Sequence, residues 1–186
     1  MNRFNIIDLP LAGLKLVERQ HLSDERGFIS RIYCEEEFLV AGIVKPIAQI
    51  NHTLTRRRGA VRGLHFQHPP HAEDKLVSCL KGSIWDVAID LRYNSSTFLH
   101  WHAEILSAGN GKSLLIPEGY AHGYQTLTDN CELIYLHTSP YHPEVEGALN
   151  VVDPMFKIAW PLPMVDLSER DRSHPFMAQN YQGLVL

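Results

Sequence analysis

Apolar and polar positions alternate over short runs along this chain, and turn-forming residues cut the runs at close intervals. Leu76-Val77-Ser78-Cys79-Leu80, Ser83-Ile84-Trp85-Asp86-Val87-Ala88-Ile89-Asp90 and Ser113-Leu114-Leu115-Ile116-Pro117 are rich in β-branched and apolar residues, several in partial alternation. That is the pattern of strands, whose successive side chains point to opposite faces. Breaks fall at Leu9-Pro10, Arg26-Gly27, Ala41-Gly42, Arg58-Gly59, Pro69-Pro70, Lys81-Gly82, Gly109-Asn110-Gly111, Pro117-Glu118-Gly119 and Asp129-Asn130, leaving segments too short for typical helices. Many short strands at near-regular spacing predict an all-β sandwich or barrel, with a double-sheet jelly roll as one way to manage the edges. Residues 23–28 read as a turn. Two segments depart from the β pattern. Residues 34–42 mix acidic positions with an apolar stripe and stop at Gly42, which predicts a short helix. Residues 167–172 follow the proline-rich Trp160-Pro161-Leu162-Pro163 and predict a second helix capped by Ser168. No repeat, low-complexity tract or linker is visible, so one domain over residues 1–186 is expected.

Composition narrows the class. Hydrophobic residues make up 45% and charged residues 20% of the 186 positions, the profile of a folded soluble protein rather than a disordered one. Seventeen Lys and Arg against 21 Asp and Glu give a net charge of −4, which argues against nucleic-acid binding by bulk charge but leaves room for a local basic pocket. Cys34, Cys79 and Cys131 are odd in number, widely spaced and outside any CxxC grouping, so neither a disulfide framework nor a zinc knuckle is expected. The first residues, Met1-Asn2-Arg3-Phe4-Asn5-Ile6-Ile7-Asp8, form no apolar leader core, and no apolar run approaches the roughly 20 residues that span a bilayer. The expectation is a cytoplasmic protein with reduced thiols and no membrane or nucleic-acid partner. Eleven histidines are the unusual feature.

The densest polar stretch is Arg56-Arg57-Arg58-Gly59-Ala60-Val61-Arg62-Gly63-Leu64-His65-Phe66-Gln67, followed by His68, His71 and Lys75. Guanidinium forks beside glycines suit an oxyanion, and a solvated basic turn is the plain alternative. If the strand is regular, Arg62 lies off the face of Gly63, His65 and Gln67, and His65 points into a barrel interior. A histidine there is either a general base or a hydrogen-bonded core residue, and a partner carboxylate decides between them. A divalent metal held by His65, His68, His71, Glu73 and His122 is a further alternative, although His65 and His68 are three apart and face opposite ways on a strand. Glycines flanking His122 suggest a backbone approached by ligand, and Tyr135 alternates with Leu133 along another strand.

Taken in order, Asp24-Glu25-Arg26-Gly27-Phe28, Gln49-Ile50-Asn51, Val61-Arg62-Gly63-Leu64-His65-Phe66-Gln67, Lys75-Leu76-Val77, Asp86-Val87-Ala88-Ile89-Asp90-Leu91-Arg92, Ile116-Pro117-Glu118-Gly119-Tyr120-Ala121-His122-Gly123, Glu146-Gly147 and Leu167-Ser168-Glu169-Arg170-Asp171 resemble the dTDP-4-dehydrorhamnose 3,5-epimerase family. The resemblance runs from about Ile6 to about Arg172. It implies a cupin-type double-stranded β-helix and an epimerase that inverts C3, C5 or both of a nucleotide-linked 4-keto-6-deoxyhexose, with no redox cofactor and no metal. It implies that His65 is the base, that Asp171 orients it, that Lys75 faces the C4 oxygen and that Tyr135 returns a proton from the opposite face. It further implies substrate contacts at Arg26, Phe28, Gln49, Asn51, Arg62, His122, Glu146 and Arg170, base stacking at Tyr141, and a homodimer in which the Arg26-Gly27-Phe28 segment comes from the partner. Arg31 stands where the family commonly has a carboxylate, which leaves CDP- and GDP-linked substrates open beside dTDP. Arg170 stands where lysine is frequent, and the common Tyr-Lys pair reads Tyr135-Leu136. A non-catalytic sugar-nucleotide-binding cupin and a metal-dependent cupin are the alternatives from other classes.

Overall fold

Strands of this chain that carry apolar residues on both faces need cover on both sides, and the fold supplies it with two facing sheets and an outer layer on each. The computed structural model describes residues 3–186; Met1 and Asn2, the start of the segment read for a leader, lie outside them. In chain order the strands are β1 (Phe4–Asp8), β2 (Lys15–Arg19), β3 (His21–Asp24), β4 (Gly27–Ser30), β5 (Gln49–Thr55), β6 (Val61–Gln67), β7 (Lys75–Lys81), β8 (Ser83–Asp90), β9 (Trp101–Ser107), β10 (Lys112–Ile116), β11 (Tyr120–Thr126), β12 (Cys131–His137) and β13 (Glu146–Ala148). Two short helices, α1 (Glu35–Ala41) and α2 (Glu169–Ser173), complete the elements named below.

One sheet has the order β1-β2-β10-β7-β12-β5 and the other β13-β6-β11-β8-β9, with every neighbouring pair antiparallel. This is the double-sheet, all-β architecture expected from the spacing of the runs. Leu16, Val77 and Leu133 from the first sheet meet Ile84, Leu106 and Tyr124 from the second in the layer between them. The outer face of the five-stranded sheet is covered by Leu149, Val151, Phe156 and Trp160 from the C-terminal third. The outer face of the six-stranded sheet is covered by α1, whose fully buried Phe38 packs edge-on to Phe4 at 4.9 Å between ring centroids. Burying a side chain of this size contributes about 1.5–3 kcal/mol.

Both predicted helices form, and for the predicted reasons. Three glutamates occupy the first turn of α1, and Gly42 closes it at φ 103° with its N–H bonded to Leu39 and that of Ile43 to Phe38. Ser168 caps α2 by accepting the Asp171 N–H at 3.0 Å. Within residues 23–28 the turn itself is Glu25-Arg26, and the flanking residues pair as the ends of β3 and β4 in a hairpin that joins neither sheet. All three cysteines are unpaired. Among the described residues no helix is long and apolar enough to cross a membrane.

Regular alternation fails in one place that matters. Opposite β11, His65 pairs with His122 and Arg62 with Tyr124, so Gly63 and Leu64 together face the single residue Gly123. This is a β-bulge, and the extra residue inverts the parity of everything before it. Arg62 and His65 therefore line the same cavity instead of opposite faces. Gly63 is needed there: its φ is +133°, and a Cβ on it would lie 2.6 Å from Gly123 Cα.

Candidate active site

The two sheets splay over a cavity of about 650 Å³ lined by β5, β12 and β7 from one sheet and β6, β11 and β13 from the other. That volume lies in the range of small-molecule sites. Of the residues singled out from sequence, the fold brings His65, Tyr135, Asp171, Lys75, Asn51, Arg62, His122, Tyr141, Glu146 and Arg170 into this cavity. Gln49 does not line the cavity but bonds two residues that do, donating to Asn51 Oδ1 at 3.0 Å and accepting the Tyr141 N–H at 2.9 Å. Arg26 and Phe28 do not line this chain's cavity. They sit on the β3–β4 hairpin, where Arg26 pairs with Asp24 and Phe28 is 63% exposed and stacked on His21. Of the basic run, Arg56 reaches the cavity, while Arg57 pairs with Asp166 and Arg58 donates to the Leu127 carbonyl.

His65 has the partner that its sequence context left open. Its Nε2 lies 2.8 Å from Asp171 Oδ1, 106 residues away in sequence. Burial pushes the Asp171 carboxyl up, but the bond and charge of His65, the Ser168 hydroxyl and the Gly63 N–H outweigh it and hold the group below the usual carboxylate range. An ionised carboxylate accepts, so Nε2 carries the proton and the lone pair of the neutral ring is on Nδ1. A third group stands against this pair. His174 Nε2 is 3.8 Å from the same Asp171 oxygen, with its ring edge-on to His65 at 6.1 Å, and burial followed by the His65 charge lowers its pKa.

His122 on β11 bonds through Nε2 to Asp86 Oδ1 at 2.8 Å, and burial pushes the fully enclosed Asp86 carboxyl up despite that bond. Tyr135 lies across the cavity from His65, on the other sheet, with its ring edge-on to His122 at 5.9 Å. Burial, then the neighbouring Tyr124 and Asp86, push its phenol well above its ordinary pKa, so it is a protonated phenol at neutral pH. Lys75 Nζ reaches the His65 carbonyl at 3.5 Å and pairs with Glu73 at 3.1 Å. At the mouth, Tyr141 donates to Glu146 at 2.9 Å, and Arg170 pairs with the same carboxylate. The set weighed for a cation, His65, His68, His71, Glu73 and His122, does not converge. Among the described residues, the one group of three with ligand atoms within 4.8 Å of one another is His65, Asp171 and His174.

Sequence reading passed over Thr53, Thr55, Tyr124 and His137, which line the cavity, and His174 beside the dyad. Period two would have found most of them, since Thr53 and Thr55 follow Asn51, Tyr124 follows His122 and His137 follows Tyr135 on the same faces.

Residues 8–179 match the family model described as dTDP-4-dehydrorhamnose 3,5-epimerase. The dTDP-4-dehydrorhamnose 3,5-epimerase of Methanothermobacter thermautotrophicus is 39% identical over 183 residues, covering 97% of this chain and 98% of its own. The chain belongs to the dTDP-4-dehydrorhamnose 3,5-epimerase family. Among solved structures, the dTDP-6-deoxy-D-glucose-3,5-epimerase of Legionella pneumophila in complex with dTDP-4-keto-L-rhamnose matches with a TM-score of 0.89 and 36% identity, covering 93% of this chain and 92% of that one. A 3'-monoepimerase of Streptomyces bikiniensis in complex with dTDP-quinovose matches with a TM-score of 0.85 and 32% identity, covering 91% and 86%. Enzymes named for one and for two inversions are thus both similar to this chain in structure.

Proposed function

We propose that this chain is an isomerase that inverts C3 and C5 of dTDP-4-keto-6-deoxyglucose, giving dTDP-4-keto-L-rhamnose, as a single catalytic domain that works in the cytoplasm. The observation that carries the reading is His65 on one sheet, paired with Asp171 of α2, facing Tyr135 and Lys75 on the other sheet across one cavity. Protons on carbons next to the C4 ketone are acidic because their removal gives an enolate. His65 takes such a proton on Nδ1, and the C–H electron pair becomes the new C=C bond while the carbonyl π pair moves to oxygen. Asp171 stabilises the imidazolium that results. The Lys75 ammonium faces the oxygen where charge develops. Tyr135 gives its phenolic proton to the same carbon from the opposite side, which inverts the centre. Imidazolium and phenolate then exchange protons with solvent, so the step balances with the ketone as electron sink.

Nucleotide recognition follows the charges. Arg62 and Arg170 are the cations for the diphosphate, and Tyr141 offers its ring to the base at the cavity mouth. Asn51, Gln49, His122 and Glu146 supply polar contacts around the sugar and its links. The exposed β3–β4 hairpin, with Arg26 and Phe28, fits a homodimer in which each subunit completes the other's site. Incubation with dTDP-4-keto-6-deoxyglucose tests the reading. Proton NMR is expected to show the ring couplings of the doubly inverted product, and an unchanged or singly inverted spectrum would sink it.

A further inference from the structure

Lys75 and the loop carrying Tyr141 lie on different segments, yet a hydrogen-bonded path joins them. The Tyr141 N–H donates to Gln49 Oε1 at 2.9 Å, and Gln49 Nε2 donates to Asn51 Oδ1 at 3.0 Å. With its oxygen engaged, Asn51 turns its Nδ2 toward His137 Nε2, 3.4 Å away. An amide N–H at that point makes Nε2 the acceptor and leaves the ring proton on Nδ1, which donates to Glu73 Oε2 at 3.2 Å. The other oxygen of that carboxylate holds Lys75 Nζ at 3.1 Å. A shorter path reaches the same carboxylate from the next residue of the loop. The His142 N–H donates to Gln67 Oε1 at 2.6 Å, and Gln67 Nε2 donates to Glu73 Oε2 at 3.2 Å.

Glu73 is thus the point where both paths end. Its side chain is 7% exposed and that of Lys75 9%. A carboxylate so enclosed is costly unless paired and hydrogen-bonded, and removing one partner leaves the other uncompensated. Here burial is outweighed by the His137 bond and the Lys75 charge, and the Glu73 carboxyl stays below its usual range. The reaction as derived above uses neither Glu73 nor His137. His137 also stacks on Tyr135, with ring centroids 5.9 Å apart and planes 17° apart.

We propose that Glu73 is a positioning residue and His137 its relay, together fixing Lys75 at the carbonyl-facing wall and tying its place to the loop that carries Tyr141. The nucleotide end and the reacting end of the substrate are then held by one connected network. This rests on the reading of Lys75 as the group facing the carbonyl oxygen.

The test uses the full-length enzyme with dTDP-4-keto-6-deoxyglucose as substrate and dTDP as binding probe. It compares Glu73→Ala, His137→Leu and His137→Gln by kcat for deuterium uptake, KM, and Kd for dTDP. Glutamine offers one donor and one acceptor in place of the imidazole pair, whereas leucine fills space with neither. Glu73→Ala and His137→Leu are expected to lower kcat by about tenfold or more while Kd for dTDP stays within about twofold, and His137→Gln to recover most of the loss. The two His137 variants decide the matter on their own if Glu73→Ala does not fold. Unchanged kcat in His137→Leu overturns the inference, as does a loss confined to dTDP affinity or an equal loss in the leucine and glutamine variants. An unsubstituted enzyme that takes up no deuterium overturns the functional reading together with the inference; uptake by the unsubstituted enzyme beside unaffected variants overturns the inference alone.

Discussion

Asp171→Asn removes one negative charge from beside His65 and almost nothing else. The carboxylate oxygen is 2.8 Å from Nε2, in a pair where the His65 side chain is 31% exposed and that of Asp171 7%. When His65 takes the substrate proton, a full imidazolium forms about 4 Å from the carboxylate charge centre. At an effective dielectric near 20 this attraction is about 4 kcal/mol, or about three orders of magnitude in rate. Asparagine has a second effect. If its amide nitrogen faces Nε2, the ring must move its proton to Nδ1, and the lone pair needed for the substrate is lost. The expected loss in deuterium uptake at C3 and C5 is therefore about 10²–10⁴-fold. The fold should persist, because the bond that caps α2 runs from the Asp171 backbone N–H to Ser168 and is untouched. The assay is mass spectrometry of substrate in deuterated buffer, with thermal unfolding as control. Uptake within about threefold of the parent enzyme, in a protein of unchanged Tm, would refute the reasoning, since the charge would then contribute under 1 kcal/mol to the transition state.

Three further outcomes follow from the geometry. Tyr135→Phe should still exchange the substrate proton, through His65, while forming inverted product at least about a hundredfold more slowly; equal losses in both readouts would contradict separate roles for the two sheets. Asp90 is bonded by the Arg92 guanidinium at 2.8 and 2.7 Å and by Thr97 Oγ1 at 2.7 Å, and although burial opposes ionisation these partners hold its carboxyl at about 2. A lowered folded pKa means stability that is present above the unfolded value near 3.9 and lost as pH falls toward 2, so Asp90→Asn should cost roughly 2 kcal/mol at pH 7 and flatten the acid limb of the denaturation curve; an unchanged limb would be evidence against it. In the proposed homodimer with exchanged hairpins, mixing His65→Ala with Arg26→Glu subunits should restore about a quarter of parental activity, because half the dimers would be mixed and each would carry one intact site, whereas a hairpin serving its own subunit restores none.

The build from short strands and both helix caps are legible in the sequence because they depend on local features: apolar runs, Gly42 after an acidic turn, Ser168 three residues before Asp171. The bulge at Gly63 was not, since it arises from pairing with β11 and from the approach of Gly123, and neither is visible in β6 alone. For the same reason Arg62 was set on the wrong face. The dyad shows another kind of limit. Nothing local links His65 to a residue 106 positions away, so its partner came from resemblance and not from spacing. Nothing local pairs His137 on β12 with Glu73 in the loop before β7, and only the β12–β7 register, which sets His137 beside Lys75, brings them together.

The central claim is that His65 moves a carbon-bound proton of a dTDP-linked ketosugar. The most direct measurement is the mass of dTDP-4-keto-6-deoxyglucose after incubation in deuterated water with the unsubstituted enzyme and with His65→Ala. A gain of one deuteron at each of C3 and C5 with the former and none with the latter is the predicted result; no uptake with the unsubstituted enzyme, or equal uptake with both, would contradict it.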